Sequence, residues 1–287
     1  MVRGVSIREM IVTSIVLAWL GLAFGSFVNA VVWRIHNQQK AKSKKQKARY
    51  SILFARSTCT HCHQQLAVRD LVPVLSWLWL RGRCRYCGKA ISWQYPIVEL
   101  SLAAVFVLSY ILWPGGVHSA GDWVSLISWL VVSIGLMALL VYDVRWMILP
   151  NRIVYPTLVV AVVGRLTYLI GFESDKARSL GAWALGVAIA SGLFWLIYEL
   201  SRGKLIGFGD VRLGLITGTV LARPAESFLM ILLASVLGVI FALPGLVTRK
   251  KTLASRLPFG PFLIIATFIV LLYGSDFINW YQRVFLP

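Results

Sequence analysis

The run Met10–Val32, MIVTSIVLAWLGLAFGSFVNAVV, decides the fold class. It contains no charged residue and, wound as a helix at 1.5 Å per residue, it covers a hydrocarbon layer about 30 Å thick. It could pass for a signal sequence, but it is long and has no convincing small-residue cleavage site, so it reads as a spanning helix. Comparable runs recur, giving about eight expected spans at roughly 10–33, 97–113, 123–142, 153–170, 180–198, 211–222, 227–247 and 259–274, of which the sixth is short. Continuous apolar runs without strict alternation select helices over barrel strands. With 58% hydrophobic residues and a mean hydropathy of +0.75, the expected fold is an all-α polytopic membrane protein.

The formal net charge is +18, and most of it lies between the apolar runs. Its first meaning is therefore topological and lipid-facing, and nucleic acid is not an expected partner. Residues 34–94 carry thirteen Lys or Arg against one acid, Asp70, which places this insertion in the cytoplasm. Threading the spans from there puts the loops at 143–152, 200–210 and 248–258 inside as well, and these hold Arg145, Arg152, Arg202, Lys204, Arg249, Lys250, Lys251 and Arg256. The loops on the other side balance to nearly zero. The stretch NQQKAKSKKQKARY, 37–50, is expected to lie disordered or against anionic lipid headgroups. The chain thus divides into a first span (10–33), a basic cytoplasmic insertion (34–95) and a membrane core (96–287).

All four cysteines fall in the insertion, as CTHC (Cys59, Cys62) and CRYC (Cys84, Cys87), with 21 residues between the pairs. Two CxxC knuckles at such a separation suit tetrahedral zinc, because each tight turn aims two thiolates at one centre. A cytoplasmic position disfavours the alternative, disulfides. Four thiolates leave His61 and His63 as bystanders and no coordination position open, so the metal is expected to be structural.

Acids are scarce, eleven in all, and two stand out. Asp143 ends the third span after SIGLMALLVY, and Asp210 sits in GFGD at the start of the sixth. Both face the same membrane side, where helix ends in a bundle can meet. Two carboxylates sharing a proton can divide the work of base and acid, which is aspartyl-protease chemistry. Gly207 and Gly209 are read as allowing positive φ and close approach of an extended substrate backbone. The bland alternative has each Asp capping a helix or pairing with Arg145 or Arg212.

The motif set resembles the type IV prepilin peptidases, polytopic aspartyl proteases of the GxGD type. In order come GLAFGSFVNAVVWRI (21–35), the CxxC pairs around DLVPVLSWLWLRGRCRYC (70–87), ISWQYPIVEL (91–100), DVRWMILPNRIVYP (143–156), GFGDVRLGL (207–215) and LPFGPFL (257–263). The resemblance implies that Asp143 and Asp210 are the catalytic pair. The implied substrates are prepilin or pseudopilin precursors, cut after a short basic leader on the cytoplasmic face of a bacterial inner membrane, for pili or type II secretion. It also implies N-methylation of the new amino terminus with S-adenosylmethionine, for which the chain shows no soluble-type cofactor fingerprint. Two departures are WRIHNQQ after the first span, where the family has Arg, an apolar residue and Pro, and Arg212 where Lys is common.

Glu99, just inside the second span, has two readings: a group that orients substrate or meets a cofactor amine, or a buried partner for an interfacial Arg. Ser26 and Asn29 follow Gly21 and Gly25, whose spacing permits close helix packing, and Gly214 and Gly218 repeat it. Arg165 is expected to snorkel outward. The prolines of LPNRIVYP are expected to fix the loop that carries Asp143. Two rival functions are a non-catalytic scaffold for pilus or secretion assembly that docks partners through the zinc module, and a proton-coupled transporter. The second is disfavoured because both acids sit at one surface instead of at mid-membrane.

Overall fold

The computed structural model describes residues 6–43, 50–52, 56–248 and 258–285. Its helices are α1 (Ile7–Lys40), the short α2 (Leu75–Trp79), α3 (Gln94–Ile111), α4 (Ala120–Trp146), α5 (Asn151–Phe172), α6 (Lys176–Ser201), α7 (Phe208–Leu221), α8 (Pro224–Val247) and α9 (Gly260–Phe285). Seven of them, all but α2 and α7, are long and apolar enough to cross a membrane. The sixth expected span is α7, whose 14 residues reach only about 21 Å. Most of its length from Val211 to Leu221 is buried, so its backbone is shielded by protein where it falls short of the headgroups.

Helix starts follow local chemistry. Before α1, Ser6 Oγ accepts the Glu9 N–H at 3.1 Å while the Glu9 carboxylate accepts the Ser6 N–H at 3.0 Å, and Ser119 with Asp122 repeats the device before α4. α1 outruns the apolar stretch by several residues, because polar side chains of its last turns find partners in the returning chain: Arg34 donates to the Ile52 carbonyl and Gln38 to that of Tyr50, each at 2.7 Å. Part of the basic stretch, 44–49, and most of the basic loop with Arg249, Lys250, Lys251 and Arg256 lie outside the described residues.

The chain forms two compact units. The first takes in Met1–Ile111 with Ser133–Val141 of α4. Here α1 and α3 touch at backbone distance: a Cβ at Gly21 would lie 2.5 Å from the Ala103 Cα, and one at Gly25 the same distance from the Glu99 Cα. The Asn29 amide donates to the Tyr95 carbonyl at 3.2 Å and accepts from Gln94 at 3.0 Å, tying α1 to the start of α3. The second unit takes in Leu112–Val132 and Tyr142–Pro287. There α6 and α7 pack just as closely, with Gly214 against the Ala190 carbonyl and Gly218 against Val187, while Ser191 donates to the Val211 carbonyl at 2.9 Å.

One local expectation changes: Asp143 sits on α4 itself and not in the loop expected to be fixed by the prolines of LPNRIVYP, while Pro150 is the N-cap of α5 and Pro156 lies within its first turns. Arg165 reaches toward the start of α6: its Nη2 donates to Ser179 Oγ at 2.6 Å and its guanidinium lies over the Tyr168 ring.

Replacing Gly25 by Val is expected to force α1 away from α3 and cost about 1–3 kcal/mol. A Gly181→Ala change, where a Cβ meets nothing within 4 Å, is expected to be neutral or slightly stabilising. Thermal midpoints of the two variants in detergent check both.

Candidate active site and metal centre

Asp143 occupies the last turn of α4 and is only 6% exposed. A carboxylate is disfavoured there, because the carbonyl end of a helix carries partial negative charge. The compensation comes from another helix: the Gly260 N–H, at the start of α9, donates to the Asp143 carboxylate. The approach requires glycine, since a Cβ at position 260 would lie 2.6 Å from Asp143 Oδ2. Asp210 sits in the first turn of α7, and the Gly207 N–H donates to its carboxylate. The charge of Asp143 acts directly on Asp210, so the two acids, 67 residues apart in sequence, come into electrostatic range in the fold. Both are thus held at helix starts.

No arginine neutralises either acid among the described residues. Arg212 turns back over its own helix, its guanidinium 5.1 Å from the Phe208 ring centre, and Arg145 lies over Trp146. Pairing with Arg145 or Arg212, the bland alternative for these acids, is therefore absent. Capping holds in part for Asp210 alone, through Gly207.

The glycines behave differently from expectation. Neither Gly207 nor Gly209 adopts positive φ: Gly207 is extended at φ −79°, and Gly209 is helical. What Gly209 provides is room, because a Cβ there would meet Leu149 Cδ1 at 3.1 Å. Leu149, buried in the turn after α4, thereby packs the Asp143 segment against the start of α7. Sequence reading missed the role of Gly260; its only signal was LPFGPFL, a glycine between two rigid neighbours at a helix start.

The cysteines converge in the first unit. The four Sγ atoms lie within 4.8 Å of one another, none is in a disulfide, and the group could hold a metal ion. Each knuckle has the same backbone pattern. In the first, Cys59 N–H donates to the Gln64 carbonyl at 2.9 Å and His63 N–H to that of Cys59 at 3.1 Å. In the second, Cys84 N–H donates to the Lys89 carbonyl at 2.8 Å and Gly88 N–H to that of Cys84 at 2.9 Å. The residue after each second cysteine is left-handed, His63 at φ 57° and Gly88 at φ 69°. Burial alone would push the Cys59 thiol up, but hydrogen bonds from the Cys62 and His61 backbone and from neighbouring thiols bring it down to about 7. Donors converging on sulfur suit a thiolate set. His61 and His63 are exposed and outside the cluster.

Asp70, the single acid of the insertion, anchors this module. Arg85 Nε donates to it at 2.7 Å, Tyr86 Oη at 3.2 Å and the Ala67 N–H at 3.2 Å. Burial works against its charge, but these donors hold its carboxyl below the usual range.

Glu99 pairs with no arginine among the described residues, against one of its two expected roles. Its carboxylate accepts the Val74 N–H at 2.7 Å and a hydrogen bond from Ser26. Val74 has φ 58° and ψ −51°, and the Leu75 N–H reaches the Pro73 carbonyl at 2.5 Å, a tight γ-turn rarely adopted by a β-branched residue. Such a conformation persists only when its surroundings enforce it, and Glu99 is one enforcing contact.

Known proteins extend this picture. The bacterial Peptidase A24 N-terminal domain matches residues 19–113, and the Type IV leader peptidase family matches residues 130–243. A prepilin leader peptidase/N-methyltransferase of Aeromonas salmonicida is 31% identical over 280 residues, covering 92% of both chains. One from Pectobacterium carotovorum is 33% identical, covering 87% of this chain and 89% of its own. A type 4 prepilin-like proteins leader peptide-processing enzyme of Escherichia coli is 32% identical over 85% of this chain and 87% of its own. No solved structure matches. With similarity of this depth over nearly its whole length, and with all its expected motifs in order, the chain belongs to the Type IV leader peptidase family.

Proposed function

We propose that this protein cuts the short basic leader from type IV prepilin or pseudopilin precursors, using Asp143 and Asp210 as an aspartyl-protease pair. One observation carries the reading: two carboxylates within electrostatic range of each other, unpaired with arginine among the described residues and each met by a backbone N–H at a helix start. A scaffold would have no need for that arrangement, and a proton relay would not confine both acids to one end of their helices. The names and coverage of the relatives support the substrate class.

In the proposed reaction the pair holds one proton. The ionised carboxylate takes a proton from water as the water oxygen bonds to the scissile carbonyl carbon, and the protonated one donates to the carbonyl oxygen. The tetrahedral diol collapses when a proton passes to the amide nitrogen and the C–N bond breaks. The leader departs with a new carboxylate, and the mature protein keeps a free amino terminus. Gly260 fixes Asp143 in place, and Gly207, exposed and without a side chain, leaves the peptide backbone room to approach Asp210. Glu99 acts as a positioning residue through Val74.

The metal proposed for the cysteine group is structural zinc, held by Cys59, Cys62, Cys84 and Cys87, where it would clamp the two knuckles together. The insertion, 34–95, is the proposed cytoplasmic module and 96–287 the protease core. The positive charge of the insertion supports an inner-membrane orientation with both sites inside, and supports contact of the basic stretch with anionic headgroups. We further propose N-methylation of the new amino terminus with S-adenosylmethionine. That activity is supported by the relatives' names, and no step is derived through the cofactor.

Purified Asp143→Asn and Asp210→Asn variants are each expected to lose cleavage of a precursor by about 100-fold or more while keeping the wild-type thermal midpoint. Near-normal turnover in either would remove that residue from the pair. Gly260→Ala is expected to lower kcat more than it raises KM, because it displaces the carboxylate and not the substrate.

Metal analysis is expected to find zinc in the wild type and none in a Cys59→Ser/Cys84→Ser variant. Brief chelation is expected to leave cleavage intact while the insertion stays folded. Strict dependence on a replaceable metal would favour a metalloprotease. Incubation with a precursor and labelled methyl donor, read by product mass, tests the methylation.

A further inference from the structure

A second group of polar residues occupies the end of the second unit remote from the carboxylates. Arg165 lies 14 residues, about 20 Å, along α5 from Asn151, and Arg223 lies in the turn after the far end of α7, the helix whose first turn holds Asp210. The group is organised on one side of α6. Ser179 takes the Arg165 hydrogen bond, Trp183 lies one turn on, and Gly186, another turn on, faces Ser227 Oγ and the Arg223 backbone at 3.2 Å from an ideal Cβ.

Three atoms in this group are buried and have no hydrogen-bond partner: Arg165 Nε, Trp183 Nε1 and Ser227 Oγ. Ser227 is fully enclosed, at 0% exposure. Every one of them can donate, and what each lacks is an acceptor. The charges are also unbalanced in reach. Arg223 is paired with Glu226 at 3.1 Å, and Ser275 completes that pair. Arg165 forms no ion pair among the described residues, and the acid acting on it, Glu173, does so beyond pairing distance. A half-buried guanidinium inside a membrane helix is costly unless an anion meets it, and so are buried donors without an acceptor.

We propose that Arg165, Trp183 and Ser227 form a binding site for an anionic phosphate group. The occupant that fits a site within the reach of a bilayer is the headgroup phosphate of a phospholipid, and a soluble phosphate would satisfy the same donors. Arg165 supplies the charge and a directed N–H, Trp183 an indole N–H suited to the interface between water and acyl chains, and Ser227 the innermost donor. Lipid bound there would wedge α5, α6 and the start of α8 together at the end where α7 is too short to reach. The site is independent of the protease reading and needs only that the helices span a bilayer.

The test uses delipidated full-length protein in detergent, titrated with phosphatidylglycerol, with diacylglycerol and with inorganic phosphate, and read by native mass spectrometry. Wild type is expected to retain one tightly held phosphatidylglycerol and no diacylglycerol. Arg165→Gln is expected to weaken retention about tenfold or more. Trp183→Phe, which removes the N–H and shortens the ring but keeps an aromatic side chain, is expected to weaken it several-fold while the lipid-free protein remains folded with a cooperative thermal transition. Precursor cleavage in both variants is expected to match wild type in detergent, which separates this site from the carboxylates. Displacement of the lipid by low-millimolar inorganic phosphate would support the anion site and assign it to a soluble ligand. Equal binding of diacylglycerol, or equal phosphatidylglycerol retention by wild type and both variants with no phosphate binding, would overturn the proposal.

Discussion

The contact on which the second unit turns is the hydrogen bond from the Gly260 N–H to the Asp143 carboxylate. An acid in the last turn of a helix opposes the local dipole, and burial raises that cost further. The start of another helix supplies the missing positive potential, and it can do so only because position 260 has no side chain. That constraint fixes where α9 begins relative to α4. Through Leu149 and Gly209 it also fixes where α7 begins, and the second acid follows from that.

Elsewhere the same economy of small residues sets the distances between helices. Gly25 lets α1 lie against the backbone that carries Glu99, and Gly214 lets α7 lie against α6. Lipid offers little apolar driving force between helices, so close backbone approach and a few polar ties such as Ser191 to Val211 do more of the binding than they would in water.

Much of this was legible in the chain. Apolar runs gave the seven long helices and the short α7 because membrane spans are local in sequence, and the cysteine spacing gave the thiol cluster because a knuckle is a local turn. The two acids were conspicuous because charge is rare in such runs. The partner of Asp143 was hidden, since it is a backbone N–H 117 residues away, and no residue type marks a main-chain donor. The positive φ expected at Gly207 and Gly209 is absent for a related reason: glycine permits positive φ but does not require it, and here Gly207 is the extended N-cap of α7 and Gly209 lies within its first turn. The extension of α1 was missed because its polar last turns are supported by the returning chain and not by their own composition. Asp70 entered the sequence reading only as the one acid of a basic segment, and only the fold brings Arg85, Tyr86 and the Ala67 N–H around it.

The two knuckles match in hydrogen bonding but differ at the left-handed position, where histidine stands in the first and glycine in the second. A left-handed backbone is free for glycine and costs other residues about 1 kcal/mol or more. Each half buries its first cysteine, Cys59 or Cys84, but the second cysteine is more exposed in the first half, at Cys62, than in the second, at Cys87. The cluster is therefore lopsided: the Cys59 turn carries both the costlier backbone and the more open sulfur, and the Cys84 turn the relaxed counterpart of each.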